Sequence, residues 1–125
     1  MTIDIKAARA YLTEREQALK QEGEPRRLQA AQAARVAARK VMPAFPQIHK
    51  AYLFGSVTRQ GAMRRDSDVD IAVEGKLNAS DYFALWRELE HAMSGWEVEL
   101  VELDEGIHFA ESVRAEGEVI YERQT

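Results

Sequence analysis

The run Asp68-Val69-Asp70-Ile71-Ala72-Val73 constrains the fold more than any other segment of the chain. Side chains alternate between the two faces of a strand, so the two aspartates fall on one face and Val69, Ile71 and Val73 fall on the other. The aliphatic face needs a hydrophobic core to cover it. The run therefore predicts a half-buried strand that holds two carboxylates close together on a rigid support.

The rest of the chain predicts a mixture of helices and strands. Two helices, at about residues 4–21 and 25–42, are predicted to be separated at Gly23-Glu24-Pro25, because glycine suits a helix C-terminus and proline suits the first turn of the next helix. In the second of these helices Leu28, Ala31 and Val36 form a thin apolar stripe. Further helices are predicted at about 81–93, capped by Ser80, and at 107–114, and strands at 50–54, 69–73, 96–103 and 118–121.

These elements predict an α/β fold with a small mixed β-sheet and helices packed on one face. Residues 1–45 are predicted to form a helical N-terminal extension, and residues 46–125 one compact core. The chain has no cysteine, which excludes a disulfide framework and thiolate metal sites. The residues Met1-Thr2-Ile3-Asp4 do not form a basic segment followed by an apolar run, and no run of about 18 apolar residues occurs, so we expect neither export nor membrane association and a cytoplasmic location.

Charge is distributed unevenly along the chain. Residues 1–65 carry 13 basic and 5 acidic side chains, whereas residues 66–125 carry 4 basic and 16 acidic ones. The acidic half suits either a metal site or a solvated surface, and the basic half could meet phosphates, nucleic acid or an acidic partner. The basic segment 26–40 lacks interleaved aromatic residues, which favours a solvated helix face or partner docking over direct nucleic-acid binding.

A second motif lies upstream of the aspartates. Gly55-Ser56 follows the predicted strand at 50–54, where glycine allows a sharp turn and free backbone amides, with a serine hydroxyl, can hold a phosphate. Eleven residues separate Ser56 from Asp68, and they include Arg59, Arg64 and Arg65. Each motif alone is common and unspecific. Their combination in one predicted turn and strand is the feature that points to chemistry.

The stretch from Phe54 to Val73 resembles the signature of the polymerase-β-type nucleotidyltransferase superfamily: a strand ending in Gly-Ser, a turn carrying Arg and Gly, and a strand bearing Asp-x-Asp. The resemblance implies that Gly55 and Ser56 bind the triphosphate, with Arg59 reaching a phosphate as well. It also implies that Asp68 and Asp70 are catalytic ligands of two Mg²⁺ ions, with ATP as the substrate.

The resemblance also implies a third carboxylate on a neighbouring strand. The matching run is Val98-Glu99-Leu100-Val101, which makes Glu99 the candidate catalytic residue and metal ligand. The family usually has aspartate at this place, and glutamate adds a methylene group and a torsion. Because catalytic geometry tolerates little displacement, this departure makes nucleotide binding a firmer expectation than full catalysis.

Within the superfamily the compact chain resembles the minimal nucleotidyltransferases that pair with HEPN-type proteins in toxin–antitoxin systems. This implies an antitoxin that transfers AMP from ATP to a tyrosine of a HEPN toxin ribonuclease, and it allows a hetero-oligomer of the two proteins. Two alternatives stay open: an inert antitoxin that neutralises its partner by binding, and a transferase that modifies a small molecule. The missing acceptor-binding domain counts against the second alternative.

Overall fold

The computed structural model describes residues 4–104 and 108–124 of the chain. Ile107, where the third helix was predicted to begin, and residues 1–3 of the predicted extension lie outside these ranges. Within them the helices are α1 (Ile5–Val41), α2 (Ala79–Ala92) and α3 (His108–Glu116), and the strands are β1 (Lys50–Phe54), β2 (Val69–Glu74), β3 (Val98–Glu102) and β4 (Glu118–Glu122). Short 3-10 turns occupy Met42–Ala44 and Gly55–Thr58.

The four strands form one mixed sheet in the order β3-β2-β1-β4. β1 pairs antiparallel with both β2 and β4, whereas β2 and β3 are parallel and are joined through α2, since parallel neighbours need a crossover. The predicted α/β fold with a small mixed sheet is confirmed.

The alternation in β2 separates the two faces of this sheet as predicted. Val69, Ile71 and Val73 are fully buried in the main core, which α1 and α2 cover. On the opposite face Ala72 joins a smaller buried cluster beneath α3, so the helices cover both faces of the sheet and not one face as predicted. The residues 68 and 70 therefore belong to the face on which α3 lies.

The predicted break between two N-terminal helices is wrong, because α1 runs without interruption through Gly23 and Pro25. A proline inside a helix removes a backbone hydrogen bond and costs about 3 kcal/mol. Tertiary contacts offset that cost. A Cβ atom on Gly23 would lie 2.5 Å from the carbonyl oxygen of Met63, so this glycine permits close packing against a loop and does not end the helix.

The predicted apolar stripe on the second half of α1 is also largely wrong. Leu28 and Val36 are 58% and 55% exposed, and of the predicted residues only Ala31 is buried. Small side chains let the helix approach the sheet closely, and they recur at the helical spacing that the larger residues lack. The buried residues of this helix are Ala30, Ala31, Ala34, Ala37, Ala38 and Val41.

Helix α2 covers the outer edge of β3. The Tyr82 hydroxyl donates a hydrogen bond to the Leu100 carbonyl at 2.5 Å, and the Trp86 indole N–H donates to the Val98 carbonyl at 2.7 Å. These bonds occupy backbone acceptors that an exposed edge would offer to another strand. The N-cap of α2 is Asn78, whose Oδ1 accepts from the Asp81 amide at 2.8 Å, and not Ser80 as predicted.

None of the helices in the described ranges combines the length and the hydrophobicity that crossing a bilayer requires.

Candidate active site

Strand pairing brings three of the predicted site residues to one end of the sheet. In the antiparallel pair of β1 and β2, Phe54 lies opposite Asp70, which places Gly55 at the same end as this aspartate. In the parallel pair of β2 and β3, Asp70 lies opposite Glu99. Gly55 and Asp70 are 15 positions apart in the sequence and Asp70 and Glu99 are 29 positions apart, and the sheet makes them neighbours.

Gly55 and Asp70 are in direct contact. Gly55 has a φ of +79°, a region that side-chain-bearing residues rarely adopt. A Cβ atom at this position would overlap Oδ2 of Asp70, well inside the 3.0 Å limit that real Cβ atoms respect. Glycine is therefore required both for the conformation of the turn and for the space that the Asp70 carboxylate occupies.

The Asp70 carboxyl lies in an electrostatically unfavourable position. The pKa of Asp70 is raised from 3.8 to about 6, mainly by burial and, in smaller part, by the negative charge of Glu99, a hydrogen bond with Glu99 and the negative charge of Asp68. The negative charges of Asp68 and Glu99 thus lie close enough to disfavour the charged form of Asp70. A bound cation would relieve this repulsion.

The turn between β1 and β2 is held by its own polar groups. The Thr58 hydroxyl donates to the Gly55 carbonyl at 2.7 Å, and the Arg59 amide donates to the Ser56 carbonyl at 3.2 Å. Near the end of the turn the Arg64 amide donates to the Ser67 hydroxyl at 2.8 Å. These bonds fix the backbone around Gly55 and Ser56, the predicted phosphate-binding residues.

Arg59 is exposed and borders a cavity beside the turn. The cavity has a volume of about 200 Å³, and its walls include Gly55, Phe54 and Phe109. The rings of Phe54 and Phe109 meet edge to face with their centroids 5.6 Å apart, which joins α3 to the end of β1. Arg59 and Gly55 therefore border one space, as a shared phosphate-binding role requires.

A further set of contacts comes from α1 and was not foreseen from the sequence. The Glu24 carboxylate accepts a hydrogen bond from the Gly61 amide at 2.5 Å, and Arg27 Nη1 donates to the Val57 carbonyl at 3.2 Å. The only available signal was the spacing of Glu24 and Arg27, which is typical of an ordinary helix-surface ion pair. The predicted helix break fell on this same segment.

The donor set at the site fits magnesium only in part. In the part of the chain that the structure describes, no three acidic or histidine side chains are grouped as a ready-made metal cage. Asp68, Asp70 and Glu99 nevertheless offer only oxygen ligands, and Mg²⁺ is typically bound by one or two carboxylates together with substrate phosphates and water. The repulsion evident at Asp70 is the observation that favours a cation here.

Residues 38–125 match the family model described as polymerase beta, nucleotidyltransferase. No protein of curated function shows significant similarity to the chain.

The solved structures that resemble the chain include three toxin–antitoxin complexes. One is a toxin–antitoxin complex with AMP-PNP, with 29% identity, coverage of 72% of this chain and 74% of that chain, and a TM-score of 0.59. Another is a mutant of the toxin–antitoxin pair MntA–HpeT in which two aspartates, two positions apart, are replaced by glutamate, with 27% identity, coverage of 70% and 69%, and a TM-score of 0.54.

The third is a complex of a tri-AMPylated Shewanella oneidensis HEPN toxin with an MNT antitoxin. It has 22% identity to the chain, covers 76% of this chain and 74% of that chain, and has a TM-score of 0.55. At this identity the likeness concerns the fold alone.

Proposed function

Because the chain belongs to the polymerase β nucleotidyltransferase family, we propose that it transfers AMP from ATP to a tyrosine hydroxyl of a HEPN-type toxin ribonuclease and acts as the antitoxin of that toxin. The observation that carries the proposal is the position of the Asp70 carboxyl, which touches the Gly55 turn, while Asp70 is the register partner of Glu99 on the neighbouring strand. The candidate phosphate-binding turn and the candidate carboxylates thus lie at one end of the sheet, as metal-assisted nucleotidyl transfer requires.

Two similar solved structures support the choice of ATP as the nucleotide and of a toxin as the partner. One complex of a similar antitoxin was crystallised with AMP-PNP, an analogue of ATP. In the mutant MntA–HpeT complex the two replaced aspartates have the spacing of Asp68 and Asp70. Both relatives are toxin–antitoxin pairs, which favours a toxin as the acceptor for this chain.

Each candidate residue has a defined part in the proposed reaction. The Gly55-Ser56 turn would hold the triphosphate through backbone amides and the serine hydroxyl, and Arg59 would contact a phosphate oxygen. Asp68 and Asp70 would hold Mg²⁺. When bound, the ions would activate the attacking hydroxyl and neutralise the triphosphate and the departing pyrophosphate.

The bond changes of the proposed reaction are those of a nucleotidyl transfer. The tyrosine oxygen attacks the α-phosphorus, the bond from that phosphorus to the oxygen bridging the α- and β-phosphates breaks, and pyrophosphate leaves. The tyrosine proton passes to the carboxylate of Glu99, which is exposed on the edge strand of the sheet and can face an incoming protein. Turn, carboxylates and base would thereby supply positioning and charge stabilisation.

We also propose that residues 46–125 are the catalytic unit and that residues 1–45 extend it. The family match begins at residue 38, within the last turns of α1. The buried alanines of α1 belong to the main core, so the extension would be attached to the catalytic unit by packing and not by a flexible linker.

Intact-mass measurement tests the transfer directly. A HEPN-type toxin is incubated with this protein, ATP and Mg²⁺, and the double variant Asp68→Ala/Asp70→Ala is the control. We expect the toxin to gain one or more AMP masses with the wild-type protein only. A toxin that forms a stable complex with the wild-type protein but gains no mass would refute catalysis on that partner.

The second candidate is an antitoxin that acts by binding alone. It is favoured by Glu99, because the longer side chain moves the carboxylate away from the place that aspartate takes in the family. This candidate predicts that the double aspartate variant still neutralises the ribonuclease when ATP is omitted.

A further inference from the structure

The segment Gly23–Arg27 of α1 holds the turn between β1 and β2 at several points. Glu24 accepts from the Gly61 amide at 2.5 Å, Arg27 donates to the Val57 carbonyl at 3.2 Å, and Gly23 packs against the Met63 carbonyl. The contacts are spread over the middle of the turn, where it has no strand to support it. They all engage the backbone of the turn.

Glu24 and Arg27 also hold each other in place. Arg27 Nε and Nη2 donate to the Glu24 carboxylate, each at 3.0 Å, while Nη1 of the same guanidinium reaches the turn. The hydrogen bond from Arg27 lowers the pKa of Glu24, and the bond from the Gly61 amide lowers it further, so the carboxylate is charged at neutral pH. The two side chains form one rigid unit that bridges helix and turn.

Arg26 adds to this unit from the neighbouring position. Its guanidinium lies over the ring of Trp96, 4.3 Å from the ring centroid, and its Nη2 donates to the Arg65 carbonyl at 3.4 Å. The helix therefore contacts the turn from Val57 to Arg65, a stretch that begins one residue after Ser56 and ends three residues before Asp68. Both ends of the candidate site lie next to the held stretch.

The course of α1 gives independent support. Glycine and proline at positions 23 and 25 disfavour a continuous helix, yet the helix passes through them and delivers Glu24 and Arg27 to the turn. If the helix ended at Gly23, as local propensity favours, these contacts would be lost. Gly23 and Pro25, which disfavour a helix, thus lie in the segment of α1 that contacts the turn beside the candidate site.

We propose that Glu24 and Arg27 are positioning residues, which hold the turn from Val57 to Arg65 so that Gly55, Ser56 and Arg59 are set to bind a nucleoside triphosphate. This inference rests on the proposed function and assigns a role to the N-terminal helix in it. Neither residue touches the reacting atoms; they act through the backbone of the turn.

The test compares Glu24→Ala and Glu24→Gln with the wild-type chain. The Kd for a fluorescent ATP analogue is measured on the chain alone in the presence of Mg²⁺. KM and kcat for ATP are measured on the complete reaction with the HEPN-type toxin. We expect Glu24→Ala to raise the Kd and the KM for ATP roughly tenfold, the loss typical of a charged hydrogen bond, with little change in kcat. Glu24→Gln keeps an oxygen acceptor for the Gly61 amide and should stay within about twofold of wild type.

Arg35→Gln is the matched control, because Arg35 lies on the same helix and makes a two-pronged bond to Glu118 on β4, at 2.6 and 2.7 Å, while among the described residues its side-chain bonds reach only Glu118 and Gln32 and not the turn from Val57 to Arg65. It should lower stability and leave the Kd for ATP unchanged. Arg27→Lys is the second variant should Glu24→Ala not fold, since lysine keeps the charge but cannot bridge Glu24 and the Val57 carbonyl together. It should also raise the Kd.

Amide hydrogen exchange gives a readout that is independent of the nucleotide. The Gly61 amide should exchange faster in Glu24→Ala than in Arg35→Gln at equal global stability. A folded Glu24→Ala with wild-type Kd, or an Arg35→Gln that raises the Kd as much, would overturn the positioning role. A wild-type chain that binds MgATP but modifies no toxin would refute the transfer proposal alone, whereas one that binds no MgATP would overturn both.

Discussion

Replacing Gly55 by alanine tests the packing at the centre of the candidate site. The left-handed conformation at φ +79° costs alanine about 1–2 kcal/mol. The added Cβ also overlaps Oδ2 of Asp70, and displacing this short side chain from its rotamer costs about 0.5–1.5 kcal/mol more. We therefore expect Gly55→Ala to lower the free energy of unfolding by about 1.5–3.5 kcal/mol and to abolish ATP binding.

Two comparisons separate the conformational cost of alanine at position 55 from the cost of its overlap with Asp70. Gly95 has a φ of +94° and nothing within 4 Å of an added Cβ, so Gly95→Ala should show the conformational cost alone. In an Asp70→Ala background the overlap at Gly55 disappears, and Gly55→Ala should then cost about as much as Gly95→Ala.

Urea unfolding at constant pH measures the free energy of unfolding of each variant, and unchanged m-values make these free energies comparable. Equal costs of Gly55→Ala in the presence and absence of the Asp70 carboxyl would refute the inferred contact.

Three further predictions concern stability. Because the pKa of Asp70 is raised from 3.8 to about 6, the folded state binds more protons than the unfolded state in this window, so the stability of the chelator-treated protein should fall as pH rises through it. Asp70→Asn should remove this fall in urea titrations, and an unchanged slope would contradict the assignment. Arg35→Gln should lower the free energy of unfolding by about 1 kcal/mol, since its bond to Glu118 is partly exposed; no loss would show that solvent screens it fully. Tyr82→Phe should lower it by about 1 kcal/mol by leaving the Leu100 carbonyl without its donor, and should promote self-association through β3; a variant as stable and as monodisperse as wild type would contradict the edge-covering role.

The sequence by itself determined the strands and the face of β2 on which the two aspartates lie. The period-two alternation around Asp70 fixed which face of β2 is buried, because burying its aliphatic side chains leaves the aspartates on the other face. The turn after β1 was equally legible, since Gly55 is a residue type that tolerates a positive φ. These are local properties, and a local pattern is sufficient to predict them.

Only the tertiary structure decided the course and the contacts of α1. Gly23 and Pro25 predict a break from local propensity, but the bond between Glu24 and Gly61 spans 37 positions and cannot be read from either segment alone. The buried face of the helix was likewise set by close approach to the sheet, which selects alanine over Leu28 and Val36. Contacts between distant segments outweigh local preferences of a few kcal/mol. For this reason the contacts between the N-terminal helix and the turn beside the candidate site are visible only in the folded chain.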